Sequence, residues 1–171
     1  MGNFELAQVN ISRMKAPLDD PTFRDFVDAL EPVNALADHA PGFVWRLQTE
    51  DGDATAIRAF EWDVRGTSGI LVNMSVWTSV EALAAFVFSG EHLAVMKRRR
   101  EWFHHVREAM TVLWWVPAGH RPTTAEAEEK VKHLRIHGPA PEAFTLKQHH
   151  PAPSSTATGA RAGDPDWLCP A

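Results

Sequence analysis

The sequence predicts an α+β fold, a ferredoxin-like antiparallel sheet laid down in the order β-α-β-β-α-β, with an extra C-terminal helix. Three observations carry that prediction. Alternation of side-chain character with period two marks strands at Phe4–Ser12, Gly42–Gln48, Gly69–Trp77 and Met110–Val116. Helix-start signals precede the apolar stripes that follow the first and third strands. The connection between the second and third strands, residues 50–69, is punctuated by glycine and has no helical stripe.

In the first strand Ala7, Val9 and Ile11 point one way, and Leu6, Gln8 and Asn10 the other. Asp20-Pro21 then starts a helix: the carboxylate accepts free backbone N–H groups, and proline is preset for the first turn. The stripe Phe23, Phe26, Val27, Leu30, Ala37 carries this helix to about Asp38, with a kink expected at Pro32. The second strand sets Phe43, Trp45 and Leu47 against Val44, Arg46 and Gln48, and a short strand is expected at Ile57–Trp62 within the long connection. In the third strand Asn73, Ser75 and Trp77 alternate with Val72, Met74 and Val76. Thr78 with Glu81 reads as a capping box for the next helix. That helical region breaks at Ser89-Gly90 and resumes to about Glu108, placing His92, Met96, Arg99 and Phe103 on one face. After the fourth strand, Pro122 and Thr123 with Glu126 start the last helix, which His137-Gly138-Pro139 closes. Glu142–Lys147 reads as an edge strand. A single domain is expected over residues 1–148, followed by a disordered polar tail over 149–171, rich in Pro, Ala, Ser, Thr and Gly.

The composition narrows the function classes. With 171 residues, 44% hydrophobic and 23% charged, the chain suits one soluble globular domain. A net charge of -5 argues against a nucleic-acid partner, and the one basic run, Lys97 to Arg100, reads as a solvated helix face. No apolar run reaches membrane-spanning length, no signal peptide is evident, and the single cysteine, Cys169, has no internal partner, so a cytoplasmic protein is expected. There is no phosphate loop, dinucleotide fingerprint or GxSxG elbow. His133 and His137 have one-turn spacing without a carboxylate-histidine pattern, so no metal site is expected.

Packing helices against Ala7, Val9 and Ile11 would leave the opposite sheet face bare. That face carries Leu6, Gln8, Asn10, Asn73, Ser75 and Trp77, with Arg46 or Trp45 and Trp114 or Trp115 according to register. It is too aromatic for water and too polar for a dry core, which points to two such sheets facing each other in a homodimer around a cavity. Gln8, Asn10, Asn73, Ser75 and Arg46 are suited to hold a carbonyl or phenolate oxygen, or else to bond one another and ordered water. His92 is the candidate acid-base group, because imidazole titrates near neutrality, and Arg99 stands two turns on to fix an anion. Trp77, Trp102 and Trp115 are candidate walls against an aromatic ligand.

The segments LAQVNIS (Leu6–Ser12), GFVWRL (Gly42–Leu47), VNMSVW (Val72–Trp77), His92–Phe103, LWWVPAGHRPT (Leu113–Thr123) and GPAPEAF (Gly138–Phe144) together resemble a bacterial family of uncharacterised single-domain proteins. That family is grouped with the dimeric α+β-barrel proteins, which include antibiotic-biosynthesis-monooxygenase-like enzymes. The resemblance implies a dimeric α+β barrel. The first functional reading is a cofactor-free, monooxygenase-like enzyme acting on an apolar aromatic or polyketide-like molecule in the barrel cavity, with His92 and Arg99 as its catalytic residues. Two alternatives stand beside it: a non-catalytic dimer that binds a hydrophobic ligand or a protein, and a haem protein with His92 as ligand.

Overall fold

The structure is a computed structural model and describes residues 3–154, apart from the Glu91 side chain. The part of the expected disordered tail that covers 155–171 lies outside the described residues. Four strands, β1 (Phe4–Arg13), β2 (Phe43–Arg46), β3 (Ile70–Trp77) and β4 (Thr111–Pro117), form one antiparallel sheet in the order β2-β3-β1-β4. Helix α1 (Arg24–Asp38) joins β1 to β2, helices α2 (Val80–Val87) and α3 (Gly90–Trp102) join β3 to β4, and α4 (Thr124–His137) follows β4. The ferredoxin-like α+β arrangement with an added helix is therefore present.

The caps explain the helix boundaries. Asp20 accepts the Thr22 N–H at 2.9 Å and leads into a 3-10 turn, Pro21–Phe23, which runs directly into α1. Pro32 lies inside α1 without ending it. Ser79, not Thr78, caps α2, accepting the Ala82 N–H at 3.1 Å; Thr78 N–H instead donates to the Gly42 carbonyl. Thr123 caps α4 as expected, and Gly138 ends it at φ +75°. The helical run after the Ser89-Gly90 break stops at Trp102 rather than Glu108, because Phe103 turns extended and pairs with Met14.

Which face is covered, and by what, differs from the expectation. Ala7, Val9 and Ile11 lie with Val72, Met74, Val76, Val112, Trp114 and Val116 under α4 and the 50–69 connection, not under α1–α3. Spacings of four and three put Ala127, Val131 and Leu134 on one stripe of α4 that fits this apolar surface. Phe60, with φ +59°, adds its buried ring; Glu128 of α4 holds that turn by accepting the Phe60 N–H at 2.8 Å and the Trp62 indole N–H at 2.9 Å. Asp63, ion-paired to Arg13 at 2.6 Å and Arg135 at 2.9 Å, pins the same connection to β1 and α4. The expected strand at Ile57–Trp62 is absent; a 3-10 turn, Glu61–Asp63, is there instead.

Helices α1–α3 cover the opposite face, that of Gln8, Asn10, Ser75 and Trp77. The expectation of a bare face is thus corrected: both sides of the sheet are covered within one chain, and the place foreseen for a second, facing sheet is taken by the protein's own helices. The expected edge strand at Glu142–Lys147 reduces to one bridge to the sheet, Phe144 to Leu113, with two backbone hydrogen bonds of 2.8 Å, beside a local bridge of Ala143 to Ala140.

Candidate functional site

Helices α1 and α3 pack on each other and stand off the sheet, leaving a cavity of about 650 Å³ between sheet and helices. Its walls are mainly apolar rings. Phe43 and Trp77 meet edge to face at 5.5 Å, Trp77 stacks on Phe86 at 5.2 Å, and Phe86 lies 4.9 Å from the His92 ring. At the α1 end, Phe26 contacts Trp102 at 5.4 Å and Phe103 at 5.1 Å. Such a row of rings offers flat apolar area to a ligand with little loss of side-chain freedom.

A bulge decides the register of β2. Phe43 pairs with Trp77, but Trp45 pairs with Val76 and Arg46 with Ser75. The extra residue turns Phe43 and Arg46 both to the cavity, while Val44 and Trp45 pack in the opposite core. Leu6 opposes Trp115 and Ala7 opposes Trp114, so Trp115 shares the cavity side of the sheet and Trp114 the α4 side.

Of the polar residues expected at the site, Gln8, Asn10, Arg46, Asn73, Ser75, Trp77, His92, Arg99 and Trp102 all line the cavity. Trp115 does not. It packs with Leu6, Trp77, Leu113 and Phe144, and its indole donates to the His150 carbonyl at 2.8 Å. Their hydrogen bonds separate the remaining residues into engaged and available groups. Trp77 donates its indole N–H to Ser75 Oγ, and Ser75 donates onward to Gln8 Oε1, both at 2.9 Å. Because an indole can only donate, the relay has one direction. It fixes the Gln8 carbonyl towards Ser75 and leaves the Gln8 amide N–H groups without a protein acceptor among the described residues. Asn10 is held by Thr111 Oγ1 at 2.6 Å, whereas Asn73, which is exposed at the opening, has no side-chain partner among the described residues.

The two arginines differ in the same way. Arg46 donates to both oxygens of Asp38, at 2.8 and 3.2 Å, and to the Gly52 carbonyl at 2.7 Å, so each of its three nitrogens has an acceptor in the chain. Arg99, half-buried in α3, pairs with no carboxylate among the described side chains. His92 Nδ1 lies 2.9 Å from the Val87 carbonyl. A carbonyl only accepts, so Nδ1 carries a proton, and Nε2 is left as the acceptor of the neutral tautomer. The helix break makes this possible: the last carbonyls of α2 lack helical partners, and His92, in the first turn of α3, reaches back to one.

Other polar clusters lie elsewhere. Glu126 accepts Trp114 Nε1 and pairs with His120 Nε2, both at 2.8 Å, ordering the turn before α4. Burial pushes the Glu126 carboxyl up, but His120 and Trp114 together bring it below its ordinary value. His133 and His137 have adjacent rings, 4.7 Å apart, and no group of three or more potential metal ligands occurs among the described residues. No helix among them is long and apolar enough to cross a membrane.

Sequence reasoning found most of the cavity because alternation puts residues on a shared face. It missed Phe26, Phe43 and Phe86. Phe26 belongs to the apolar stripe of α1, and strict alternation sets Phe43 opposite Arg46, so only the bulge brings both to the cavity.

Comparison with solved structures finds similar chain courses at low identity. A protein of unknown function from Nitrosomonas europaea is 10% identical, over 71% of this chain and 95% of its own, at a TM-score of 0.42. The cofactor-independent oxygenase SnoaB from Streptomyces nogalater is 19% identical, over 70% and 95%, at 0.37. A Mycobacterium tuberculosis protein is 12% identical, over 70% and 99%, at 0.43. No curated protein matches the sequence. The pattern of one family spans residues 5–160, nearly the whole described chain, and on that ground the protein belongs to the family described as Domain of unknown function (DUF3291).

Proposed function

We propose that the cavity is the active site of a cofactor-independent, monooxygenase-like enzyme acting on an apolar aromatic or polyketide-like molecule. One observation carries the reading: a mainly apolar, ring-lined chamber brings His92, tethered through Nδ1, together with the amide N–H groups of Gln8, which have no protein acceptor among the described residues. His92 takes a proton from an acidic C–H or O–H of the substrate, and the Gln8 amide meets the oxygen on which negative charge gathers. Such donors stabilise an anion most where water is excluded. The electron-rich anion then reduces dioxygen directly. For a ring methylene, one oxygen atom enters as a carbonyl and the other leaves as water, the substrate supplying all the electrons. Rings along the wall hold the substrate in place, and Arg99 fixes its far end.

The test is oxygen uptake with a panel of hydroxylated and partly reduced polycyclic compounds. His92→Ala is expected to lower turnover by about 100-fold or more while leaving binding and melting temperature near wild type. Unchanged turnover removes His92 from the mechanism, and tight binding with no conversion of any compound by the wild type favours a pure binding protein.

The tether of His92 supports a second reading, because a metal-ligating imidazole usually donates its other N–H to a carbonyl. An axial haem ligand would announce itself by a Soret band that His92→Ala removes. If two copies of the chain associate, they join through a surface other than the sheet faces.

A further inference from the structure

We infer that the substrate of this cavity carries a carboxylate, seated on Arg99, at the opposite end of a polycyclic scaffold from the group that His92 deprotonates. The inference rests on reading the cavity as a substrate site and deepens it. Among the described residues four arginines are partly buried: Arg13, Arg46, Arg99 and Arg135. Three of them have carboxylate partners in the chain: Arg13 and Arg135 share Asp63, and Arg46 holds Asp38. Even the exposed neighbour Arg98 is paired twice, to Asp25 and Glu101, each at 2.8 Å. Arg99 is the exception, and it is the one that lines the cavity without a carboxylate.

A guanidinium drawn partly out of water loses hydration that only acceptors restore, and its fork matches a carboxylate in particular. Position in the last turn of α3 suits the helix dipole but gives the N–H donors no acceptor. The cavity's other charges do not compete for it. Arg46 is neutralised by Asp38, and Asp53 Oδ1 is engaged by the backbone N–H and hydroxyl of Thr55 at 2.8 and 2.6 Å. Lys147, also on the lining, is exposed. One unpaired, half-buried cation among apolar walls fits a single negative charge, which favours a carboxylate over a dianionic phosphate. The scaffold length follows from the helix. His92 and Arg99 are seven residues apart on one face, a rise of about 10 Å, which is the span of roughly three fused rings.

The test measures binding of anthracene-2-carboxylate and anthracene-2-carboxamide at pH 7 by quenching of tryptophan fluorescence. The carboxylate is expected to bind at least ten-fold more tightly than the carboxamide. Arg99→Gln should erase that difference and leave carboxamide affinity unchanged, and Arg99→Lys should keep part of it. Equal affinities in the wild type overturn the carboxylate assignment while the cavity reading stands. A preference that survives Arg99→Gln overturns the role of Arg99, and binding of neither probe overturns the cavity reading itself.

Discussion

Single residues set the chemistry here through what they are bonded to. Gln8 and Asn10 are both amides on β1, yet the Trp77–Ser75 relay orients Gln8 by its carbonyl alone, while Asn10 gives an N–H to Thr111. Alternation along β1 and β3 placed these residues on one face from the sequence alone. How each amide is held was not legible, since it depends on hydrogen bonds between strands. Asp63 shows the same limit: in sequence it is one acid in a loop, but in the fold it is buried between two arginines. Burial, the largest single influence, pushes its carboxyl up, and the hydrogen bonds and charges of Arg13 and Arg135 together overcome this, so it titrates below the ordinary 3.8. A folded value below the unfolded one means that the stabilisation is complete above about pH 4 and is lost as pH falls through the folded value. Melting temperature followed from pH 7 to pH 2 should fall in this window, and Asp63→Asn should flatten the fall. Asp63→Ala strands two partly buried cations and should cost about 3 kcal/mol in urea unfolding at pH 7.

At the scale of elements, two small irregularities aim the site. The β2 bulge brings both Phe43 and Arg46 to the cavity, which strict alternation forbids, and no glycine or proline marks it in the sequence. The break between α2 and α3 was legible at Ser89-Gly90, and it gives His92 a carbonyl to hold. The entry to β2 is equally constrained. Gly42 has φ +82°, and a Cβ there would lie 2.5 Å from Ala82 Cβ and 2.6 Å from Thr78 Oγ1. Gly42→Ala therefore meets both backbone strain and a clash that only a shift of α2 relieves. It should cost about 2 kcal/mol or more in urea unfolding. An unchanged midpoint would mean that α2 yields more easily than its packing suggests.

For the molecule as a whole, strand order, helix order and most element boundaries could be read from periodicity and caps. The assignment of helices to sheet sides could not, because β1 and β3 each present apolar groups on both faces: Leu6 and Trp77 on one, Ala7 and Val76 on the other. The discriminating signal was in α4, whose Ala127, Val131 and Leu134 need an apolar surface that only the Ala7 side offers. On the other side, helices α1–α3 close over the Gln8 face, so every described residue that lines the cavity comes from one polypeptide. Mixed preparations of His92→Ala and Gln8→Ala proteins should therefore recover no turnover by subunit complementation, and specific activity should hold steady on dilution.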